Sequence, residues 1–157
     1  MLSQRQLLVS LLLLALAAVL LLRRPPGHAH SIVLASWTAT PGVVDPRVTA
    51  ANVRTTICVP GWSRSVRPPS DYTSRLKVEQ LRAYGLRGST SAYQEDHLIS
   101  LEIGGNPTDP RNLWPEPYPR ASEVDRIENE LHRKVCEGSL GLREAQREES
   151  RLKHTQG

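Results

Sequence analysis

The sequence predicts an α+β fold: a short antiparallel hairpin followed by a helix, with flanking helices and an extended N-terminal segment. Three observations carry this prediction. Residues 95–103 (EDHLISLEI) partly alternate apolar and polar side chains, the period of a strand. Gly104-Gly105-Asn106-Pro107 forces a turn, after which Asn112-Leu113-Trp114 makes a short return strand that Pro115 and Pro117 stop. Residues 122–136 (SEVDRIENELHRKVC) place Val124, Ile127, Leu131 and Val135 on one helical stripe.

Residues 1–29 stand apart from this domain. Leu7 to Leu22 is unbroken apolar sequence except for Ser10, and Arg23-Arg24-Pro25-Pro26-Gly27 breaks it. At ~1.5 Å per residue the run spans roughly 24 Å as a helix, short of a ~30 Å hydrocarbon core. It reads as a signal peptide, with Gly27 and Ala29 at positions a signal peptidase selects, or as an uncleaved membrane anchor, which Arg23 and Arg24 favour. Membrane contact is expected only through residues 7–22, if they are retained. A secreted or cell-envelope location follows. The formal charge of +4 is largely this segment's: three of the 20 basic residues lie in it, leaving 17 against 16 acidic ones. Bulk charge therefore does not announce a polyanion binder, and any footprint must be a local patch, with Arg64, Arg67, Arg75, Lys77 and Arg82 as candidates.

Residues 30–71 are rich in Pro, Gly, Thr and Val, and read as an extended segment packed on the core, with Trp62 turned inward. Residues 72–157 form the main domain. Within it, residues 73–84 predict a helix capped by Thr73, with Leu76, Gln80, Leu81 and Tyr84 on one face and Gly85 ending it. The helix at 122–136 starts on Ser122, with Asp125 completing a variant capping box, and ends at Gly138. A second helix, rich in Glu and Arg, is predicted over 140–152, and Glu144 to Lys153 reads as a solvated charged face. Cys58 and Cys136, an even count in an apparently exported chain, predict one disulfide.

The chemistry-bearing residues gather on these elements. Asp96 and His97 lie on the first strand, Asn112 opens the second, and Glu128, Asn129 and His132 sit three and four apart on the helix that follows. Glu95 and Glu102 read as solvated strand residues, Trp114 as core, and His28, His30 and His154 receive no role.

At these positions EDHLISLEIGG followed by NPTDPRNLWPEPY resembles the HNH endonucleases, also called the ββα-metal or His-Me finger family, and in particular its small exported bacterial type. The resemblance covers roughly Thr55 to Gln146 and includes Thr56-Ile57-Cys58, Gly61-Trp62 and Arg67-Pro68-Pro69. It implies a ββα-metal core and a metal-dependent hydrolase that cuts phosphodiester bonds in DNA or RNA with little sequence specificity. It implies His97 as general base, Asn112 as the residue orienting it, and Asp96 as a ligand of a divalent metal, Mg²⁺ first and Mn²⁺ second. The second metal ligand comes from the helix, with Asn129 ahead of His132. Ser100 stands where relatives have Pro, Val124 where many have Lys, and the spacing from Asn112 to Asn129 is longer than in the compact motif. Zinc-knuckle cysteine pairs are absent from the sequence. A non-catalytic nucleic-acid- or envelope-binding module and a metal-binding structural domain are the alternatives.

Overall fold

The computed structural model of the chain describes residues 32–157. The segment 1–29, with its expected signal or anchor and His28, lies outside the described residues, as does His30. No helix among the described residues is long and apolar enough to cross a membrane.

The fold is α+β. Residues 32–61 run as turns around one short 3₁₀ turn at Val53–Thr55, without the extended pieces expected there. Val, Thr and Pro favour extended backbone, but the prolines and glycines interrupt each run before it finds a partner. One isolated bridge, Val44 to Gly105, is all that remains of strand pairing in this segment. Two helices follow, α1 (Trp62–Val66) and α2 (Ser70–Ala83). Helix α2 begins three residues before the expected start. Its N-cap is Pro69 (φ −58°, ψ 143°), not Thr73, and no side chain caps it. Leu76, Gln80 and Leu81 are its buried face, as its periodicity requires.

The hairpin pairs β1 (Tyr93–His97) with β2 (Leu113–Pro117), Asp96 opposite Trp114 and His97 opposite Leu113. The first strand is shorter than the 95–103 reading, since Leu101–Ile103 is a 3₁₀ turn. The second is longer: Pro115 and Pro117 lie inside β2 rather than ending it. A two-stranded sheet has only edges, where a missing N–H costs little. Helix α3 (Tyr118–Glu137) follows at once. It starts four residues early on Pro117, so Ser122 and Asp125 form no cap, and it ends on Gly138 in the left-handed conformation (φ 82°). Helix α4 (Leu142–Thr155) closes the described chain.

The main core joins Val48, Ile57, Ile99, Ile103, Leu131, Val135, Leu142 and Ala145, so it ties the N-terminal segment, the post-strand turn, α3 and α4 together. A smaller cluster of Ala35, Leu98 and Trp114 lies beneath the hairpin. Cys58 and Cys136 are bonded, with Cα atoms 5.6 Å apart across 78 residues of sequence. Closing so long a loop restricts the unfolded chain by ~4–5 kcal/mol in the entropic model. Reduction with dithiothreitol is therefore expected to lower the urea midpoint without changing the native far-UV spectrum; an unchanged midpoint would show that the bond contributes nothing.

Candidate functional site

The end of β1 decides the geometry of the site. Neighbours on a strand point to opposite faces. Asp96 accordingly shares its face with Gln94, Trp114 and Glu116, and His97 shares the other with Glu95 and Leu113. The strand stops at His97 and the chain turns, so both residues line one cleft of about 220 Å³, together with Arg67, Gln94, Asp125, Glu128 and Asn129. Asp96 and His97 are 9% and 5% exposed, so their chemistry is set by protein rather than by bulk water.

The His97 imidazole has one hydrogen bond among the described residues, from Nε2 to the Pro107 carbonyl at 3.0 Å. A carbonyl only accepts, so Nε2 holds the proton and Nδ1 carries the lone pair. Burial lowers the imidazole's pKa, against the smaller raising effects of that carbonyl and of Asp96. The ring is thus neutral near pH 7 with a basic nitrogen to offer.

Asn112 does not touch the imidazole. It is fully buried and cross-braces the loop that carries Pro107. Its Oδ1 accepts from the backbone of Ile99 (3.0 Å) and Val43 (3.2 Å), and its Nδ2 donates to the carbonyls of Ile99 (3.0 Å) and Asn106 (2.9 Å). It acts on His97 only as a positioning residue. Gly105 makes room for it: a Cβ there would lie 1.7 Å from the Ile99 carbonyl oxygen and 2.8 Å from Asn112 Nδ2.

The cation at the base of the cleft is Lys153 of α4, which the sequence reading placed on a solvated face. It is fully buried, with Nζ 2.8 Å from Asp96 Oδ2, 2.5 Å from Glu128 Oε1, 2.5 Å from the His97 carbonyl and 3.6 Å from Glu149 Oε1. Burial would raise Asp96, but the Lys153 ammonium outweighs it and holds that carboxyl below its usual range. Burial prevails at Glu128 and Glu149, which are raised despite Lys153. Glu116, also fully buried, is pushed up to about 8 by burial and the Asp96 charge. One ammonium cannot fully offset four carboxylates, so the charged forms of the other three are disfavoured. Lys153→Met is expected to cost ~3–5 kcal/mol at pH 7, because it leaves Asp96 charged and unpaired in the interior. Urea unfolding checks this, and a deficit that fails to shrink at pH 5 would disprove the electrostatic cause.

Several expectations are corrected here. Glu95 is not solvated: it is half-buried, neither carboxylate oxygen has a hydrogen-bond partner, and burial pushes it up to about 8. His132 is separated from the cleft. Its Nε2 meets the Ile57 carbonyl at 2.9 Å, and it lines a different depression beside the disulfide. Cys58, His132 and Cys136 are close enough together to suggest a metal site, but the two sulfurs are spent on each other. Asn129 does line the cleft. Its Nδ2 donates to the Asp125 carbonyl at 2.6 Å, and Oδ1 makes no hydrogen bond among the described residues. Trp114 is core, as expected. Val124 is 1% exposed, so the cleft draws its cation from α4 instead of the start of α3. Ser100 offers its backbone N–H to Glu149 Oε2 at 2.9 Å, a bond a proline there could not make.

Glu95 and Glu116 make stability depend on pH. With folded pKa values near 8 against 4.5 unfolded, the folded state binds more protons in between, so stability falls as pH rises through about 8. The metal-free protein should melt lower at pH 9 than at pH 7, and Glu116→Gln should flatten that slope. An unchanged slope in the variant would remove Glu116 as a cause.

No protein-family model matches the chain, and neither a curated protein nor a solved structure does. The roles of Asp96, His97 and Asn112 therefore rest on the motif and on this geometry.

Proposed function

We propose that the protein is a metal-dependent phosphodiesterase of the HNH, ββα-metal type, acting on DNA or RNA with little sequence preference outside the cytoplasm. The observation that carries this reading is His97: a buried, neutral imidazole whose Nε2 is tied to a carbonyl and whose Nδ1 is left to take a proton. The same reading is supported by the β1–β2–α3 order and by the cleft that His97 shares with Asp96 and Asn129. The disulfide is compatible with an oxidising compartment.

The donor set fits a hard divalent cation. Asp96, Glu128 and Asn129 offer oxygens to one cleft, and nearby both oxygens of Glu116 and Oε1 of Glu149 lack hydrogen-bond partners, carboxyl groups whose charged forms a cation would favour. Asp96 with Asn129 and Glu128 would hold Mg²⁺ or Mn²⁺. Such an ion supplies charge stabilisation at the scissile phosphate and leaving oxygen. His97 Nδ1 takes the proton of the attacking water. The Pro107 carbonyl fixes the ring's orientation, and Asn112 fixes the loop that presents that carbonyl. Arg67, exposed at the rim, is placed to contact a substrate phosphate.

A second reading, a non-catalytic module that keeps the fold, draws on Lys153, whose ammonium already engages Asp96 and Glu128. Plasmid nicking with Mg²⁺, Mn²⁺ and EDTA separates the two. Cleavage with a divalent ion that EDTA abolishes supports the phosphodiesterase. A folded protein that retains nucleic acid but cuts neither DNA nor RNA establishes the binding module.

A further inference from the structure

Away from the cleft, α4 carries a second feature that the proposed chemistry does not use. Arg143, Arg147 and Arg151 are four residues apart, are exposed, and form one wall of a groove of about 640 Å³. Its apolar lining includes Val44, Ile99 and Trp37. None of the three arginines has an ion pair among the described residues. The groove lining contains no acidic residue. Residues 1–31 contain no Asp or Glu either, so they hold no side chain that could neutralise the row.

Trp37 adds a second, independent observation. It is 59% exposed, yet it is held flat against the His154 ring, with centroids 3.7 Å apart and planes within 8°. His154 is itself buried and anchored through Nε2 to the Thr40 carbonyl at 3.0 Å. One face of the indole is thus backed by a fixed ring while much of its surface remains in solvent. A pre-positioned aromatic platform beside a row of guanidiniums is the chemistry that receives single-stranded nucleic acid: bases stack on the ring, and phosphates meet the cations. Four helical residues advance by about 6 Å, comparable to the spacing of successive phosphates along an extended strand.

We propose that the groove between Trp37 and the Arg143–Arg147–Arg151 row is a docking surface for single-stranded nucleic acid. The proposal extends the phosphodiesterase reading but stands on different residues. Binding is measured by fluorescence anisotropy of a labelled oligothymidylate of about 12 nucleotides, with the full chain in non-ionic detergent and EDTA present, so that cleavage plays no part. The triple variant Arg143→Gln, Arg147→Gln, Arg151→Gln is expected to bind at least about tenfold more weakly at low salt. Its log–log salt slope should be shallower by about 2, from three lost phosphate contacts at ~0.7 each. Trp37→Ala should weaken binding by about tenfold with the slope unchanged, since stacking releases no counterions. Oligonucleotide affinity unchanged in both variants would overturn the proposal. Loss of binding to phosphatidylserine vesicles, with oligonucleotide binding intact, would assign the row to a lipid surface instead. A wild-type chain that binds the oligonucleotide through these residues but never cuts it would sink the phosphodiesterase reading and leave this one standing.

Discussion

His97→Ala is expected to lower metal-dependent cleavage by at least ~10²–10⁴-fold, the usual contribution of a positioned general base. The fold should survive. The imidazole's one hydrogen bond among the described residues ends on the Pro107 carbonyl, at the cleft wall, and neither core cluster includes His97. The variant keeps the oxygens of Asp96, Glu128 and Asn129 that line the cleft, so metal affinity should change little. Three measurements decide the case: nicking rate, melting temperature, and Mn²⁺ binding by titration. Exogenous imidazole should restore part of the lost rate, because the variant leaves a ring-sized space beside a carbonyl that accepts Nε2–H. Cleavage within a few-fold of wild type would refute the assignment of His97 as base.

Asn112→Ala is expected to have a large effect on folding. The side chain answers four backbone groups at once: the buried Ile99 amide and carbonyl, and the half-buried Val43 amide and Asn106 carbonyl. Leaving a buried group unpaired costs ~1–3 kcal/mol, so the Ile99 pair alone sets a loss of at least ~2 kcal/mol, to which the half-buried pair adds. That is a large share of the 5–15 kcal/mol typical of a domain. Asn112→Asp should also fail. It keeps an acceptor for the two amides but turns a carboxylate oxygen toward two carbonyls. Urea unfolding of both variants tests this. A midpoint near wild type for either one would show that the loop is braced elsewhere. Activity should fall with the folded fraction, and also within it, because Pro107 loses its fixed position relative to His97.

The hairpin and the central helix were legible because their signals are local. The double glycine, the prolines and the Val124–Ile127–Leu131–Val135 stripe each act within a few residues. Even the shortened β1 left a trace, since Leu98 breaks the alternation at the point where the strand ends. Asp96 and His97 were legible as a motif, and Cys58 and Cys136 as a pair. The electrostatics of the cleft were not. Whether Glu149 and Lys153 face water or protein depends on what α4 packs against, and a charged residue looks alike in both cases. One clue was present: Leu142, Ala145, Gln146, Glu149 and Lys153 continue a single helical stripe, and its first members are apolar. His132 was misplaced for the complementary reason. Helical spacing puts it near Glu128 and Asn129, but it cannot tell which neighbour lies opposite one full turn later.

The Cys58–Cys136 bond also divides the molecule into a ring and two arms. The ring holds both strands, His97, Asp96, Asn112 and nearly all of α3. Lys153 and Glu149 lie on an arm outside it, as does Trp37 on the other. A protease that nicks any loop between residues 59 and 135 would leave two fragments still tethered, able to stay assembled around the cleft until the bond is reduced. A cut in the 139–141 turn would instead release α4 without breaking the ring, and with it the only ammonium that Asp96 contacts among the described residues. Susceptibility to proteolysis should therefore differ sharply on the two sides of Cys136.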